Sequence, residues 1–343
     1  MDTPYDPAEP LAHLGGRLAT DLVEVSADLR VLDGSGRWAV VVTYEGAVTC
    51  ARFADWQVAP LPEAPRWTGP AARSWRTSLD RSGYVAGVEE IRQRIAAGTV
   101  YQANLCRVLS APLDGAVDLL PLARRLSGRH HAPFAGWIRI PGAGVHVATA
   151  SPELFLRRDG NRVASSPIKG TGRTAADLSA KDTAENIMIV DLVRNDLSRV
   201  CETGTIAVEG LLTVEKHPGL VHLVSTVTGR LAPENGWAEL VAATFPAGSV
   251  TGAPKSTAVQ AIADLEPAPR GPYCGAVGWV DADTRQGELA VGIRTFWAQD
   301  GELRFGTGAG ITWGSDAMRE WAETELKAER LIGLASAEPE GGR

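Results

Sequence analysis

The chain has few cysteines, no run of basic residues and no long apolar stretch. Its four cysteines, among 343 residues, form no closely spaced pair. We therefore expect neither a disulfide framework nor a cysteine zinc site, and we interpret the cysteines as reduced core residues of a cytoplasmic protein. No apolar run approaches the ~18 residues that cross a membrane, and the N-terminus lacks a basic segment followed by an apolar one. The sequence therefore predicts no membrane span and no signal peptide.

The charge balance is acidic. The chain carries 34 Lys and Arg against 41 Asp and Glu, a net charge of −7, without a basic patch. Nucleic acid is therefore not an expected partner. If such a protein binds an anion, it must concentrate positive charge locally. A metal ion, a few Lys or Arg side chains, or backbone N–H groups can supply that charge.

Turn signals indicate antiparallel pairing. Glu45-Gly46, Asp159-Gly160 and Asp300-Gly301 each lie between strand-like segments, which is typical of hairpins. We therefore predict an α+β fold with large antiparallel sheets and helices on their outer faces. Prolines at 60, 62, 65 and 70 suggest an irregular connection and a boundary near residue 75. The predicted parts are a short β-containing region (1–75) packed on or contributing to the main fold, a main domain (76–336) and a flexible tail (337–343).

Two segments would place carboxylates on one face of a helix. The first begins at Ser179 with a capping-box-like pattern and carries Asp182 and Glu185. The second carries Glu320 and Glu323, with Lys327 one turn further on. From spacing alone, both are most simply solvated helix faces. Brought together, however, four carboxylates supply the hard oxygen ligands that suit magnesium.

Several further segments combine glycine with polar side chains. Lys169 precedes a glycine, and residues 245–255 are rich in small residues, as expected where backbone approaches a ligand closely. Gly306–Gly310 follows a strand and precedes the second carboxylate segment. Its successive N–H groups could hold a carboxylate, although such glycines are more often simple turns. His222 alone would most often be structural, and Glu153 a surface residue beside a turn.

Together these segments resemble the chorismate-utilising enzymes, which include anthranilate, aminodeoxychorismate, isochorismate and salicylate synthases. The resemblance covers roughly residues 84–334 and rests on many motifs in the family's order. They are Tyr101-Gln-Ala-Asn-Leu-Cys-Arg107, Ser151-Pro-Glu153, Pro167-Ile-Lys-Gly-Thr171, Glu185 to Asp196, His222-Leu-Val-Ser225, Gly248 to Lys255, Arg270 to Gly275, Ile293-Arg-Thr295, Gly308-Ala-Gly310 and Glu323 to Ala328.

The resemblance implies a fold and a set of site residues. The fold is two large stacked antiparallel sheets flanked by helices, with the site between them. Glu185 and Glu323 match direct Mg²⁺ ligands, while Asp182 and Glu320 match carboxylates acting through water. Glu153 matches the general acid that protonates the departing hydroxyl at ring carbon 4. The positions matching substrate-binding or further active-site groups are Thr171, His222, Ser249, Tyr273, Arg294, Gly308, Ala309, Gly310 and Lys327.

Two positions bear on which member the chain resembles most. Gln102 stands where the water-adding members have a lysine base, so ammonia is favoured over water as the nucleophile. Lys169 stands where aminodeoxychorismate synthases have lysine and anthranilate synthases usually have alanine. The resemblance is therefore closest to aminodeoxychorismate synthase component I, which converts chorismate and ammonia to 4-amino-4-deoxychorismate.

In that family picture the amine of Lys169 attacks ring carbon 2 as the hydroxyl leaves carbon 4, and ammonia then displaces the lysine. The attack needs a neutral amine, whereas an unperturbed lysine has a pKa near ~10.4. We expect burial and a neighbouring cation to lower that pKa.

The alternatives are anthranilate synthase component I, isochorismate or salicylate synthase, and an inactive scaffold subunit. Lys169 argues against the first and Gln102 against the second. The scaffold is disfavoured because every carboxylate and lysine that the chemistry needs is present. No glutaminase domain is recognisable, so we expect ammonia to come from solution or from a separate glutamine amidotransferase subunit. Conversion of the product to 4-aminobenzoate, a folate precursor, would need a separate lyase.

Overall fold

The strands make up most of the framework of the protein. The computed structural model describes residues 6–115, 117–129, 132–172, 174–178, 180–217 and 220–337. In these residues the strands are β1 (Leu11–Leu14), β2 (Arg17–Ser26), β3 (Arg37–Val42), β4 (Val48–Val58), β5 (Arg76–Thr77), β6 (Gln102–Pro112), β7 (Phe134–Ile140), β8 (Val145–Ser151), β9 (Leu154–Asp159), β10 (Arg162–Ser166), β11 (Ile168–Gly172), β12 (Ala207–His217), β13 (Leu220–Arg230), β14 (Gly252–Ala253), β15 (Ala276–Asp281), β16 (Gln286–Val291), β17 (Thr295–Gln299) and β18 (Glu302–Ile311).

The described chain contains six α-helices, five between strands and one after the last strand. They are α1 (Arg81–Ala96), α2 (Leu120–Arg129), α3 (Ala180–Ser198), α4 (Trp237–Thr244), α5 (Lys255–Leu265) and α6 (Ala317–Ala335). Among the residues the structure describes, no helix is long and apolar enough to cross a membrane. The two carboxylate segments form α3 and α6, as predicted. Ser179, the expected cap of α3, lies outside the described residues.

Strand pairing is antiparallel throughout the described ladder. Its order is β6–β18–β17–β8–β7–β1–β2–β4–β3–β15–β16–β9–β10–β13–β12, with β5 and β14 beside β6 and β11 beside β13. The expected antiparallel sheet with helices is therefore confirmed. Because hydrogen-bonded pairing runs from one end of the ladder to the other, it does not by itself divide the strands into two stacked sheets.

All three turn signals produce the expected hairpins. β3 pairs with β4 around Glu45-Gly46, β9 with β10 around Asp159-Gly160, and β17 with β18 around Asp300-Gly301. Asp300 and Gly301 both have positive φ, 54° and 74°. Two successive left-handed residues are what a tight two-residue hairpin turn requires, and glycine adopts that conformation without strain.

The N-terminal strands lie in the middle of the ladder. β1 pairs with β7, and β3 pairs with β15. The region before residue 59 thus contributes strands to the same sheet as the rest of the chain. Residues 59–71 form neither helix nor strand, and Trp67 Nε1 donates to the carbonyl of Ala335 at 2.7 Å. The division into domains near residue 75 stays a prediction, and most of the predicted tail (338–343) lies outside the described residues.

Apolar burial explains where α3 and α6 sit. α3 buries Ile189, Val190, Val193 and Leu197, one stripe of helical spacing, in a large core cluster. α6 buries Ala328, Leu331 and Leu334 in a second cluster. All four cysteines are buried and unpaired, as expected. Toward the N-terminus of α6 the buried face continues through Thr324 to the Glu320 carboxylate.

A buried arginine joins the loop after α4 to the sheet. Arg270 donates to both carboxylate oxygens of Glu266, at 2.8 and 2.6 Å, and to the carbonyls of Val250 and Asn104, each at 2.8 Å. Both side chains of the ion pair are almost completely buried, 1% and 6% exposed. Arg270 therefore fixes the segment 248–253 against β6.

Replacing Arg270 by methionine should lower the free energy of unfolding by about 3–5 kcal/mol, because the buried Glu266 carboxylate then loses its counter-ion and is left with the Cys106 N–H as its donor. Denaturant unfolding of the purified variant measures this. The double variant Arg270→Met/Glu266→Leu removes the orphaned charge and should recover part of the loss. A single variant as stable as the wild type would contradict the role assigned to this pair.

Candidate active site

The carboxylate faces of α3 and α6 meet, and a lysine from α3 lies between them. Lys181 Nζ is 3.0 Å from Glu320 Oε1 and 3.7 Å from Glu185 Oε1. Burial raises the pKa of Glu185, and the neighbouring carboxylates Asp182 and Glu320 raise it further, while Lys169 and Lys181 oppose the shift. The predicted clustering of acidic side chains from two helices is therefore present.

Glu320 is the most deeply buried member of this group. Its side chain is 5% exposed, and its Oε1 accepts from the Ser315 hydroxyl at 2.6 Å as well as from Lys181. Its other oxygen, Oε2, is buried and has no hydrogen-bond partner in the described parts of the chain. A buried carboxylate oxygen without a donor is costly, so this position suits an added cation or a water held by one.

Glu323 lies at the exposed edge of the group. Its carboxylate is 2.6 Å from Lys327 Nζ and its side chain is 45% exposed. Burial raises its pKa, but Lys327, Lys181 and Lys169 together outweigh that effect and lower it. Lys327 also donates to the Gly308 carbonyl at 3.0 Å, which ties α6 to β18.

The donor set is chemically suited to magnesium, which favours carboxylate oxygens and keeps several waters. The orphaned Glu320 Oε2 and the ammonium between Glu185 and Glu320 both mark a place where positive charge is stabilised. Within the described residues, however, no three acidic, histidine or cysteine side chains converge closely enough to form a complete metal site on their own. Substrate or water oxygens would have to complete the coordination.

Lys169 projects from β11 toward the same group. Its Nζ donates to the Ser249 carbonyl at 3.1 Å and lies 3.8 Å from Glu185 Oε2, with the side chain 13% exposed. Opposite it runs β18. A Cβ added to Gly310 would lie 3.5 Å from Lys169 Nζ and would collide with the Gln102 amide. Glycine at 310 thus leaves room in front of the amine.

Residues 306–310, which include three glycines, lie within β18. The sequence-based expectation that this segment follows a strand and forms a turn is therefore wrong. These residues pair with β6, for example Gly308 with Cys106. β17 pairs with β18 only as far as Phe305, so the described sheet leaves the other edge of this segment without a strand partner. The expectation failed because close packing, not a turn, demands these glycines: a Cβ on Gly306 would overlap the ring of Tyr273.

Glu153 is buried rather than at the surface, with 4% exposure. Burial raises its pKa to about 7, although hydrogen bonds from the Ser249 hydroxyl and the Ile168 N–H, and the charges of Lys169 and Arg294, all favour the charged form. A carboxyl group that titrates near 7 holds its proton at neutral pH for part of the time and can donate it. Ser249 thus contacts both Glu153, through its hydroxyl, and Lys169, through its carbonyl.

Replacing Glu153 by glutamine should stabilise the protein at alkaline pH. The native carboxyl keeps its proton up to about pH 7, whereas the unfolded one loses it near 4.5. Between those values the native state binds more protons, so the contribution of Glu153 to the free energy of unfolding falls as pH rises. Glutamine removes that penalty, up to about 3 kcal/mol at pH 8.

Denaturant unfolding of wild type and Glu153→Gln at pH 5, 6, 7 and 8 measures this difference. The exposed Glu329→Gln serves as the control and should shift stability equally at every pH. A Glu153→Gln variant whose stability relative to wild type does not increase between pH 5 and pH 8 would show that the carboxyl is not desolvated as described.

The remaining predicted residues lie on the elements around this centre. Arg294 follows β16 with a positive φ of 52°, and burial lowers its pKa while Glu153 opposes the shift. Tyr273 is 5% exposed, and burial raises its pKa well above the usual value. His222 is buried on β13 and pairs with Thr171 on β11, whose side chain lies outside the described atoms. Ala309 is buried within β18.

A small cavity adjoins Glu153 and Ser249. Its volume is about 10 Å³, roughly the space of one water molecule. Asp196 and Thr244 are among its lining residues. Lys255 contacts both of them, since its Nζ donates to Asp196 Oδ2 at 2.7 Å and to the Thr244 carbonyl at 2.6 Å.

Sequence reasoning missed three residues that shape the centre. Lys181 precedes Glu185 by one helical turn, and that i, i+4 spacing is a signal that could have identified it. Ser315 lies five residues before Glu320 and Glu266 four residues before Arg270, but neither residue is inside a helix, so no helical spacing identified them.

Comparison with known proteins identifies relatives of the whole arrangement. Residues 40–333 match the family model described as chorismate binding enzyme. The aminodeoxychorismate synthase component 1 of Klebsiella aerogenes is 34% identical over 348 residues, covering 96% of this chain and 75% of that protein. The anthranilate synthase component 1 of Streptomyces coelicolor is 38% identical over 272 residues, covering 76% of this chain and 52% of that protein.

Solved structures show the same fold. The anthranilate synthase component I of Streptococcus pneumoniae superposes with a TM-score of 0.77 at 24% identity, covering 96% of this chain and 91% of that one. The menaquinone-specific isochorismate synthase of Escherichia coli gives a TM-score of 0.80 at 19% identity, covering 98% and 92%.

Proposed function

The chain belongs to the chorismate binding enzyme family, and we propose that it aminates chorismate at ring carbon 4 to give 4-amino-4-deoxychorismate. This is the activity named in the Klebsiella relative, aminodeoxychorismate synthase component 1. The observation that carries the proposal is the position of Lys169. Its amine lies among Ser249, Glu185 and Gly310. Ser249 links it to Glu153, because the Ser249 carbonyl accepts a hydrogen bond from Lys169 and the Ser249 hydroxyl donates one to Glu153.

The resemblance to the family implies the following chemistry for these residues. The neutral amine of Lys169 attacks ring carbon 2, the ring double bonds shift, and the bond from carbon 4 to its hydroxyl breaks. Glu153 gives its proton to that hydroxyl, which leaves as water, because hydroxide alone is a poor leaving group. Ammonia then attacks carbon 4, and the bond from carbon 2 to Lys169 breaks, which restores the amine.

One backbone carbonyl and one side chain contact the Lys169 amine. The Ser249 carbonyl accepts a hydrogen bond from Nζ and so orients it, and Glu185 attracts the ammonium form. Lys169 must lose its proton before it can attack, and a divalent cation that neutralises Glu185 would favour that loss.

For the metal, we propose Mg²⁺ held directly by Glu185 and Glu323, with Asp182 and Glu320 acting through water. When bound, it would neutralise the substrate's ring carboxylate and stabilise charge that develops on the conjugated ring. Lys327 and the backbone of Gly308–Gly310, with Tyr273 and Arg294, would hold the remaining carboxylate and the enolpyruvyl group. Thr171 completes the proposed substrate site, and His222 is the further proposed catalytic residue.

We also propose that the continuous ladder folds over into two facing layers. β11 and β18 lie near opposite ends of the strand order, which in a flat sheet would separate them by on the order of 50 Å. Lys169 on β11 nevertheless lies close to Gly310 on β18, since a Cβ added at Gly310 would be 3.5 Å from Lys169 Nζ. This proximity supports a sheet that folds back on itself.

Ammonia would come from solution or from a separate glutamine amidotransferase. The relatives' names, which call them component 1, support a two-component arrangement. The second candidate function is that of anthranilate synthase component I, supported by the 38% identity with the Streptomyces relative. Lys169 speaks against it, because alanine is expected at this position in anthranilate synthases.

The nucleophile is tested by following chorismate consumption with Mg²⁺ present and with ammonium salt either added or omitted, at mildly alkaline pH. We expect turnover only when ammonium is added. Consumption at the same rate without ammonium, with isochorismate formed, would overturn the proposal in favour of water addition. No turnover under any condition would favour the scaffold alternative.

A further inference from the structure

Lys181 pairs with carboxylates of both helices, α3 and α6, although the sequence did not predict it as a site residue. It lies in the first turn of α3, one turn before Glu185, and its Nζ reaches Glu320 on α6 at 3.0 Å. Its side chain is 46% exposed, whereas those of Glu185 and Glu320 are 13% and 5% exposed. The ammonium thus reaches the cluster of carboxylates from the solvent side, at the end of a flexible side chain.

The two lysines beside Glu185 differ in how firmly they are held. Lys169 is 13% exposed and donates to the Ser249 carbonyl, so its amine is fixed from a second direction. Among the described residues, the Lys181 ammonium pairs only with Glu185 and Glu320. Rotation about its side-chain bonds can move the charge into water, since a lysine stem is long and its head strongly hydrated.

Charge balance explains why a cation sits there at all. The two facing helices carry four neighbouring negative charges, which repel one another. They belong to Asp182, Glu185, Glu320 and Glu323. Glu320 Oε2 nevertheless remains buried without a donor. One ammonium therefore satisfies the group only in part, and a divalent cation would satisfy it better.

We propose that Lys181 is a removable counter-ion, which bridges Glu185 and Glu320 when no metal is bound and must swing out before Mg²⁺ can bind. This inference rests on the proposed function, since it takes the same carboxylates as the metal site. Lys181 would then set the metal affinity by competition. It would also keep the two helices together in the metal-free protein.

Calorimetric titration of the purified full-length protein with MgCl₂, without chorismate, tests the competition directly. Lys181→Met removes the competing charge and should bind Mg²⁺ about tenfold more tightly than the wild type. Lys181→Arg keeps the charge and should not bind more tightly. Arg194→Met removes one positive charge from an exposed position further along α3, so it controls for net charge and should bind as the wild type does.

Thermal unfolding gives a second reading that does not depend on calorimetric heats. Without Mg²⁺, Lys181→Met should melt at a lower temperature than the wild type, because its carboxylates repel each other. Added MgCl₂ should raise its melting temperature more than that of the wild type. Lys181→Gln, which leaves a polar side chain, should behave in the same way and guards against a folding defect specific to methionine.

Unchanged or weaker Mg²⁺ binding by both Lys181→Met and Lys181→Gln would overturn the inference. Absence of Mg²⁺ binding by the wild type and by both variants would overturn it together with the proposed metal site. If the protein releases anthranilate and both variants still bind Mg²⁺ more tightly than the wild type, the inference is supported and only the proposed product is overturned. The failure of the inference and the failure of the proposed product are therefore distinguishable.

Discussion

Replacing Lys169 by alanine is expected to reduce formation of 4-amino-4-deoxychorismate by at least about 10³-fold, because the covalent route is lost. The substitution removes the amine that lies between Ser249 and Glu185 and leaves the backbone of β11 unchanged. Chorismate and Mg²⁺ binding should remain measurable, since no proposed metal ligand is altered. Steady-state turnover and equilibrium binding, measured side by side, separate these effects.

The matched control is Lys216→Ala, an exposed lysine on β12 outside the proposed site. It should turn over chorismate at the wild-type rate. Intact-protein mass spectrometry adds a direct check: wild type quenched with chorismate and no ammonium should carry chorismate less one water, and Lys169→Ala should not. Full turnover by Lys169→Ala, or an adduct that persists in it, would remove this lysine from the mechanism.

Replacing Glu323 by glutamine should abolish Mg²⁺-dependent turnover and weaken Mg²⁺ binding by at least about 100-fold, because a neutral amide replaces a proposed direct ligand. The substitution preserves size, and Glu323 is half exposed, so stability should change little. The same change also frees Lys327 from its 2.6 Å ion pair. Binding measured by titration with MgCl₂ therefore has to accompany the activity assay.

Glu329→Gln, an exposed substitution six residues further along α6, controls for loss of one negative charge on this helix. It should leave both Mg²⁺ affinity and turnover unchanged. If Glu323→Gln bound Mg²⁺ as tightly as the wild type and kept its rate, Glu323 would not be a ligand. Glu320, whose Oε2 has no hydrogen-bond partner among the described residues, would then be the stronger candidate.

Local signals predicted much of the fold. Asp-Gly pairs between alternating segments identified two hairpins, and the i, i+3 carboxylates identified the faces of α3 and α6. These features depend on neighbours in sequence, which is why one sequence suffices for them. The order of strands in the ladder depends on pairings such as β1 with β7, which no local pattern specifies.

The candidate site likewise combines features that the sequence predicted with features that depend on tertiary packing. Glu153 and Lys169 were identified through a resemblance of motifs, but the Ser249 contacts that relate them arise from tertiary packing. Glycines 306–310 were expected near a turn and proved to be strand residues, because the ring of Tyr273 excludes a side chain at 306. Burial of a polar group, as for Glu320 and Glu266, is likewise a property of the folded chain.

One assay tests the central claim most directly: incubate the protein with chorismate, Mg²⁺ and ammonium, then quantify the ring product by chromatography with mass detection and pyruvate by an enzymatic assay. We predict 4-amino-4-deoxychorismate, with its enolpyruvyl group retained and no pyruvate released. Anthranilate with an equal amount of pyruvate would contradict the account and would mean that Lys169 does not determine the product.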